Sequence, residues 1–163
     1  MSKKIAIRLA DMTYIDSCVE ILQDSVLGKA YFSDHKKATD MLSYAVAQNN
    51  VYVALDEHGK CLGFIYYMTK GVFGSYPYLH IIAVKEEYRS HGIGKQLMRF
   101  FEDNASDQPR ARYFLTVDDF NPGARKLYEN LGYKCVGELP DFYKQGINCY
   151  LMMKTRGIEN DRN

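Results

Sequence analysis

The residues with the clearest chemical capability form a basic loop that contains two glycines, at positions 89–94 (Arg-Ser-His-Gly-Ile-Gly). An apolar stretch precedes this loop, and apolar residues at helical spacing follow it. A helix that begins there would point its first N–H groups and the positive end of its dipole at a bound anion. The glycines would let the backbone approach that anion without an intervening Cβ. The loop therefore predicts a site for a phosphorylated ligand.

The spacing within this loop excludes two common phosphate-binding motifs. A P-loop requires glycine, four residues and then Gly-Lys-Ser/Thr, but Arg89 stands at the first glycine position and Gln96 at the hydroxyl position. A dinucleotide-binding fingerprint requires Gly-x-Gly-x-x-Gly, and Leu97 occupies its third glycine position. What remains is an Arg-x-x-Gly-x-Gly motif between a strand and a helix.

A second segment, residues 121–133, has the pattern of a well-delimited helix. Asn121 can cap the first turn, Pro122 suits the first helical position, and Gly132 suits the C-terminal end. The apolar stripe comprises Ala124, Leu127, Tyr128 and Leu131. From the residues alone, Asn121 is an ordinary helix cap and Tyr128 is a core tyrosine.

Together the two segments resemble the motifs of the GNAT superfamily of N-acetyltransferases. The first is similar to the acetyl-CoA loop of that family, Gln/Arg-x-x-Gly-x-Gly/Ala. The second is similar to the family pattern Asn-x-x-Ala-x-x-x-Tyr-x-x-x-Gly-Phe/Tyr, and residues 121, 124, 128, 132 and 133 all match it. The predicted order of elements extends the resemblance over essentially the whole chain.

The predicted fold class is α/β with a mixed sheet, in the order β-α-α-β-β-β-α-β-α-β-β. We expect a single GNAT-like domain over residues 1–155 and a frayed polar tail over residues 156–163. The predicted strands cover residues 3–9, 51–55, 61–68, 79–84, 112–117, 133–136 and 148–154. The second and third strands form a hairpin, and residues 71–77 are predicted to be a loop. Asp11 is expected to cap a first helix that ends at Gly28, and Ser33 or Asp34 to cap a second.

The resemblance implies acetyl-CoA as co-substrate, bound by residues carried over from the family motifs. They are Ile82, Ala83, Val84, Arg89, Ser90, His91, Gly92, Ile93, Gly94, Lys95, Asn121, Ala124 and Tyr128. In the family, the strand before the loop pairs its backbone with the pantetheine arm, which assigns Val84 to that pairing. The Ile82 N–H would then stabilise negative charge on the thioester oxygen. We expect the side chains of Ile82 and Val84 to lie in the core.

Two side chains are predicted to move protons. The resemblance assigns Tyr128 as the general acid that protonates the departing thiolate of CoA. His80 is a candidate general base, because period-two alternation puts it on the same strand face as Ile82, roughly 7 Å away. A core histidine with satisfied ring nitrogens is the alternative. Tyr78 stands where some family members carry a catalytic glutamate, but a tyrosine is a poor base at neutral pH.

The acceptor is less well defined by the sequence. Thr116 stands where related N-terminal-peptide acetyltransferases often carry an acid, which weakens a protein N-terminus as substrate. Asp118 and Asp119 are expected to be solvated loop charges. The substrate pocket is expected to include aromatic residues at 30–32 and 142–143.

The composition limits which partners, which cellular location and which metal or disulfide sites we expect. The 163-residue chain has 47% hydrophobic residues and a net charge of +1 with interspersed signs, so we predict neither nucleic acid nor membrane as a partner. The N-terminus lacks the apolar region of a signal peptide, and we expect a cytoplasmic location. The scattered cysteines (18, 61, 135 and 149) and histidines predict core thiols, no disulfide framework and no metal site.

The predicted function is therefore transfer of the acetyl group of acetyl-CoA to a primary amine of a small molecule, directly within a ternary complex. One alternative is a non-catalytic regulatory protein that binds acyl-CoA, and another is an acetyltransferase acting on protein N-termini or lysines. A nucleotide-phosphate binder of another kind is a third. A homodimer is possible by analogy with the family.

Overall fold

The computed structural model describes residues 4–157. The strands are β1 (Ala6–Leu9), β2 (Val51–Leu55), β3 (Cys61–Val72), β4 (Tyr76–Val84), β5 (Arg112–Asp118), β6 (Lys134–Leu139) and β7 (Cys149–Thr155). The helices are α1 (Ile15–Asp24), α2 (Val26–Tyr31), α3 (His35–Ala47), α4 (Ile93–Asn104) and α5 (Pro122–Asn130). Short 3-10 turns lie at Met12–Tyr14 and Glu86–Tyr88.

The strands form one sheet of seven, in the order β1-β2-β3-β4-β5-β7-β6. The β4–β5 pair is parallel, whereas β1–β2, β2–β3, β5–β7 and β6–β7 are antiparallel. The predicted mixed α/β class is thus confirmed. The element order contains one more helix than predicted, because the first predicted helix is divided in two.

That division occurs at Ser25. Its backbone is extended, and its side chain accepts a hydrogen bond from the Gly28 N–H at 3.0 Å, so Ser25 caps a new helix. Gly28 therefore lies buried inside α2, and the prediction that it ends the first helix is wrong. A Cβ on Gly28 would lie 1.7 Å from the Leu22 carbonyl oxygen, so the close approach of α1 and α2 requires glycine. At the next helix, the structure confirms Asp34 as the cap, which accepts from the Lys37 N–H at 2.9 Å.

The predicted loop over residues 71–77 is also wrong. Strand β3 continues to Val72 and β4 already begins at Tyr76, which leaves a three-residue turn at 73–75. Phe73 and Gly74 both have positive φ values (53° and 65°), as tight hairpin turns often require. The glycine and proline in this segment suggested an irregular loop, but Pro77 is buried within the strand.

The described residues form two compact units. The first comprises residues up to 67 together with 81–103. Its core includes an aromatic cluster in which the Tyr52 and Tyr67 rings stack with centroids 5.4 Å apart. Phe100 of α4 meets Tyr52 at 4.8 Å, and Phe101 meets Tyr67 at 5.1 Å. These contacts fix α4, and therefore the loop that leads into it, against the strands of this unit.

The second unit comprises residues 68–80 and those from 104 onward. Strand β5 pairs with β7 through seven residues, from Arg112 opposite Thr155 to Asp118 opposite Cys149. The β5 side chains Tyr113 and Leu115 are fully buried. Helix α5 is tied to this unit by the Tyr128 and Tyr133 rings, which meet edge to face at 6.1 Å.

Parts of two predictions fall at the chain ends. Lys3, the first residue of the predicted first strand, and residues 158–163 of the predicted tail lie outside the described residues. Over residues 4–157, none of the helices is long and apolar enough to cross a membrane.

Candidate functional site

The loop at residues 89–94 has the backbone geometry of a ligand cradle. Ser90 and Gly92 have positive φ values (65° and 82°), which turn the chain sharply before α4 begins at Ile93. The first α4 hydrogen bond runs from the Gln96 N–H to the Gly92 carbonyl at 3.1 Å. The preceding N–H groups, those of residues 93–95, have no partner one turn earlier in the helix and are suited to bind an anion. A Cβ built on Gly92 or Gly94 would meet no atom within 4 Å, so this backbone is open to a ligand.

The Arg89 side chain supports the loop. Its Nε donates a hydrogen bond to the Val84 carbonyl at 3.1 Å, and its Nη2 lies 3.8 Å from the Asp24 carboxylate. Both side chains of this ion pair are about half exposed, so the pair itself adds little stability. The hydrogen bond to Val84 couples the loop to the end of β4. His91 and Lys95 are exposed and add positive charge on the same loop and helix start.

Strand β4 alternates strictly between buried and partly exposed side chains. Pro77, Leu79, Ile81 and Ala83 are buried, whereas the other face carries Tyr76, Tyr78, His80, Ile82 and Val84. The predicted face of residues 78, 80, 82 and 84 is thus confirmed. The expectation that the Ile82 and Val84 side chains lie in the core is wrong. An apolar run does not reveal which of its two faces is covered, because a buried strand and a half-covered one can have the same composition.

The parallel ladder between β4 and β5 is short. It joins Tyr78 to Phe114 and Leu79 to Leu115, and it ends there. The β4 residues from His80 onward lie beyond this ladder. Backbone groups past the end of a ladder can pair with an extended ligand.

Helix α5 begins as predicted. The Asn121 side chain accepts a hydrogen bond from the Ala124 N–H at 3.3 Å, and Pro122 is the first helical residue. Further along, Tyr128 is buried, and burial raises the pKa of its hydroxyl to about 12. The phenol therefore stays protonated at physiological pH and can act as a hydrogen-bond donor.

His80 is partly buried on β4. Burial lowers the pKa of its imidazole below the ordinary value of 6.5, because desolvation disfavours the charged ring. Its ring lies 5.9 Å from that of Tyr78. Near neutral pH the imidazole is therefore uncharged and retains a nitrogen that can accept a proton.

Three hydroxyl groups that are distant in sequence meet beside Tyr78. Its hydroxyl lies 3.0 Å from the Thr116 Oγ1 and 2.9 Å from the Tyr143 hydroxyl, and the latter two are 3.3 Å apart. Burial raises the pKa of Tyr78 well above its ordinary value. We call these three residues the hydroxyl cluster. The sequence indicates a role for each of these residues separately. It does not predict that they touch, because their contact depends on how the loop before β7 folds.

Asp118 differs from its prediction. It is the last residue of β5 and is buried, so the expectation of a solvated loop charge is wrong. The Cys149 thiol donates to its carboxylate at 2.8 Å. Burial and this bond raise the pKa of Cys149 to about 12. Asp119 is exposed as expected, and it accepts a hydrogen bond from the Asn148 N–H at 3.1 Å.

The aromatic residues expected near the acceptor lie at two places. Tyr31 and Phe32 end α2 in the first unit, where the Gln23 side chain donates to the Phe32 carbonyl at 3.0 Å. Phe142 and Tyr143 lie in the second unit, half exposed, with their rings 4.8 Å apart. Over the described part of the chain, no group of three or more His, Cys, Asp or Glu side chains could hold a metal ion.

The described residues thus combine a mixed sheet, a glycine loop at the start of a helix and a preceding strand whose parallel ladder ends early. The acetyltransferase (GNAT) family model matches residues 15–133. The chain belongs to this family, and the predicted resemblance is confirmed.

Individual relatives agree with that membership. The pig thialysine N-epsilon-acetyltransferase is 34% identical over 80 residues, which is 47% of each chain. The chain thus spans about half the length of the curated relatives it matches. Two solved structures share the fold over nearly their whole length. Ard1 from Thermoplasma volcanium has a TM-score of 0.74 at 24% identity, covering 93% of this chain and 97% of its own. A spermidine N-acetyltransferase chimera from Vibrio cholerae and hSSAT has a TM-score of 0.75 at 15% identity, covering 97% of this chain and 99% of its own.

Proposed function

We propose that this protein is an acetyl-CoA-dependent N-acetyltransferase that transfers an acetyl group to a primary amine of a small molecule. The observation that carries the proposal is the open backbone of residues 92–94 at the start of α4. Family membership supports the donor, because this loop matches the acetyl-CoA motif of the family.

The donor would be held mainly by backbone groups. The first N–H groups of α4 and the helix dipole suit the pyrophosphate, and the glycines at 92 and 94 leave room for it. Lys95 and His91 add positive charge there. Arg89 is oriented toward Val84 and Asp24, so its main contribution is to fix the loop. Asn121 and Ala124 at the start of α5 are the remaining proposed contacts.

Strand β4 would supply the reacting end of the site. The Val84 backbone would pair with the pantetheine arm, next to Ala83. The Ile82 N–H would donate to the thioester oxygen as negative charge develops on it. The early end of the β4–β5 ladder supports both roles, because residues 80–84 lie beyond it.

Tyr128 would act on the leaving sulfur. A thiolate whose conjugate acid has a pKa of about 8.5 cannot easily take a proton from a phenol of pKa about 12. The phenol therefore serves best as a hydrogen-bond donor that stabilises the thiolate while it leaves, and the thiolate takes its proton from solvent afterwards.

His80 would accept the proton that the attacking amine loses. Its lowered pKa keeps it uncharged near neutral pH, so it is available as a base, although a weak one. No cysteine occupies a family motif position, which favours direct transfer in a ternary complex over an acetyl-enzyme.

Two observations support a small amine as acceptor. The hydroxyl cluster includes Thr116, which stands where N-terminal-peptide enzymes commonly carry an acid. In addition, a curated relative that is 34% identical over 80 residues is named as a thialysine N-epsilon-acetyltransferase. The runner-up is an acyl-CoA-binding regulator, which the presence of a buried, protonated Tyr128 disfavours, because binding alone does not require a donor at the sulfur.

An amine panel tests the proposal. Purified protein and acetyl-CoA are incubated with lysine, thialysine, spermidine, other small amines and short peptides, and free CoA is followed. Amine-dependent CoA release with a small amine, and little with peptides, is the expected result. Release with peptides alone would overturn the small-molecule acceptor. Tight acetyl-CoA binding by calorimetry without turnover on any amine would favour the regulator, and tighter binding of ATP or NAD would overturn the donor.

A further inference from the structure

The hydroxyl cluster has a closed arrangement of hydrogen bonds within the second unit. Each of its three oxygens lies within 3.3 Å of the other two. Three hydroxyls placed in this way can form a ring in which each donates one hydrogen bond and accepts one. Such a ring uses all three protons, so what the cluster still offers to a ligand is lone pairs. The cluster is therefore suited to accept hydrogen bonds from a ligand rather than to donate them.

The cluster is accessible through Tyr143. This residue is 49% exposed, and Tyr78 and Thr116 are partly exposed. Tyr78 and Thr116 meet because Tyr78 lies opposite Phe114 in the β4–β5 ladder, and Thr116 is the next residue on that face of β5. Tyr143 approaches from the segment between β6 and β7, residues 140–148. A ligand in solvent can therefore reach the ring from the side of this segment.

The segment that carries Tyr143 is anchored at its end by Asn148. The Asn148 N–H donates to the Asp119 carboxylate at 3.1 Å, and its carbonyl accepts from the Asp119 N–H at 2.9 Å. The Asn148 side-chain amide donates to the Glu138 carboxylate at 3.1 Å. These bonds join the segment to the ends of β5 and β6, which holds Tyr143 near its partners. The cluster is thus organised before any ligand arrives, and this lowers the entropic cost of binding.

The surroundings of the cluster favour a cation. Asp118 lies two residues beyond Thr116 on the same face of β5, roughly 7 Å along the strand, and it is buried. Its bond from the Cys149 thiol is one from a neutral donor, which does not cancel the negative charge of the carboxylate. The Phe142 ring meets that of Tyr143 at 4.8 Å, and aromatic faces attract cations. Lys144 opposes this preference, but it is exposed and its charge is screened by water.

The proposed base lies beside the cluster. The rings of His80 and Tyr78 share one face of β4, and their centroids are 5.9 Å apart. A nitrogen that loses its proton to His80 and a second nitrogen at the cluster would therefore be separated by a distance that a short carbon chain can span. At neutral pH an alkylamine is protonated, as a lysine side chain is, and its N–H groups only donate hydrogen bonds. Such a group complements a ring that only accepts them.

We propose that the hydroxyl cluster binds a second, protonated nitrogen of the acceptor, so that the preferred acceptors are diamines. This inference rests on the proposed function, because the first nitrogen of the diamine is the one that receives the acetyl group. The ring accepts hydrogen bonds from the ammonium group, and the Asp118 carboxylate supplies the opposite charge. The cluster takes no part in the acetyl transfer itself and acts on the affinity for the acceptor.

Calorimetry of the full chain with CoA present tests the site without requiring turnover. The ligands are matched sets of monoamine, diamine and ω-amino acid, with propyl to hexyl chains. At one chain length or more, the diamine should bind at least about tenfold more tightly than the monoamine, as one hydrogen bond to a charged group contributes. The ω-amino acid should bind more weakly than the monoamine, because its carboxylate would meet lone pairs and Asp118. Equal affinities of monoamine and diamine at every length, or tightest binding of the ω-amino acid, would overturn the proposal.

Substitutions at Thr116 test whether the ring is the binding group. Thr116→Val removes one hydroxyl with little change of shape and should lower the ratio of diamine to monoamine affinity several-fold, whereas Thr116→Ser should keep it. Tyr150→Phe is the control, because Tyr150 lies opposite Val117 on the other face of the sheet, with its ring 4.2 Å from the Arg125 guanidinium. An unchanged ratio in Thr116→Val would show that the second nitrogen binds elsewhere. The ligand series on the unaltered chain does not depend on any variant folding.

Turnover of the same amines separates this inference from the proposed function. With acetyl-CoA in place of CoA, release of free CoA should have a higher kcat/KM for the preferred diamine than for its matched monoamine. Equal release and equal binding of the two would overturn the diamine preference and leave acetyl transfer to amines intact. Tighter binding of diamines with no CoA release on any amine would instead overturn the proposed function and support the cluster as the diamine site.

Discussion

Tyr128 shows at the scale of one residue how burial can suit a side chain for a role. Burial holds its pKa at about 12, which makes it a stable donor and a poor proton source. Under the proposed mechanism, removing the hydroxyl should therefore weaken stabilisation of the leaving thiolate without altering the cradle.

We predict that Tyr128→Phe lowers kcat by about 10²-fold or more, as the loss of one hydrogen-bond donor to a developing anion does, while the Kd for CoA changes little. Steady-state kinetics at saturating substrates and calorimetry with CoA measure the two effects. Tyr133→Phe is a matched control, since that ring is also buried and touches Tyr128. Equal turnover of the Tyr128 variant and this control would show that the hydroxyl has no catalytic role.

His80 gives a second prediction at this scale. We expect kcat/KM to rise with pH through an apparent pKa below 6.5, because burial lowers the pKa of the imidazole. In His80→Gln this rise of kcat/KM at low pH should disappear, whereas the rise due to deprotonation of the substrate amine at higher pH should persist. A full pH–rate profile of both proteins tests whether His80 is the general base. If the low-pH rise of kcat/KM survives the substitution, another group is the base.

At the scale of elements, the start of α4 combines a helix terminus with room for a ligand. Gly94 in α4 and Gly123 in α5 occupy equivalent positions, each the second residue of its helix. Neither would contact anything within 4 Å through an added Cβ. They differ in proposed role, since only Gly94 belongs to the cradle.

We predict that both Gly94→Ala and Gly123→Ala leave the free energy of unfolding unchanged or raise it by up to about 1 kcal/mol, because alanine favours helix. Only Gly94→Ala should weaken CoA binding, since its Cβ would enter the space proposed for the pyrophosphate. Urea denaturation and calorimetry on the pair give both quantities. Similar CoA affinity for the two variants would argue against a phosphate site at this loop.

The break between α1 and α2 provides a stability prediction. Gly28→Ala should lower the free energy of unfolding by about 1–3 kcal/mol, because its Cβ would overlap the Leu22 carbonyl oxygen. Gly137→Ala in β6 is the control, because that Cβ would meet no atom within 4 Å. Chemical denaturation of both variants measures the difference. If Gly28→Ala were as stable as the control, the two helices would not be packed as described.

At the scale of the whole molecule, the buried imidazole links folding to pH. The folded state favours neutral His80, whereas the unfolded chain binds a proton near pH 6.5. The stability that this group contributes is complete above that pH. It is lost as the pH falls through the lower pKa of the folded state.

We therefore predict that the unaltered protein loses more stability than His80→Gln between about pH 7.5 and about pH 5. The carboxylates and other groups contribute equally to both proteins, so they cancel in the comparison. Urea denaturation at the two pH values measures it. Equal losses would mean that the imidazole is as well solvated in the folded protein as in the unfolded chain.

Much of the fold was predictable from local signals. Asp34 and Asn121 cap the helices they were expected to cap, and the β2–β3 hairpin begins and ends close to the predicted residues. Such signals act over a few residues and survive without tertiary context. The glycines at 28 and 71 misled the prediction, because glycine also serves where two chain segments approach closely. An added Cβ on Gly71 would lie 2.6 Å from that of Tyr78.

The sequence by itself determined the family, the cradle motif and the face of β4 that carries His80 and Ile82. These depend on residue types at fixed short spacings, which the chain carries wherever it folds. Only the tertiary structure decided that Asp118 is buried, that Cys149 donates to it, and that Tyr78 meets Tyr143. These contacts join residues 31 to 65 positions apart or depend on what covers a strand end. No local pattern records such distances, because they are set by how the strands and loops pack together.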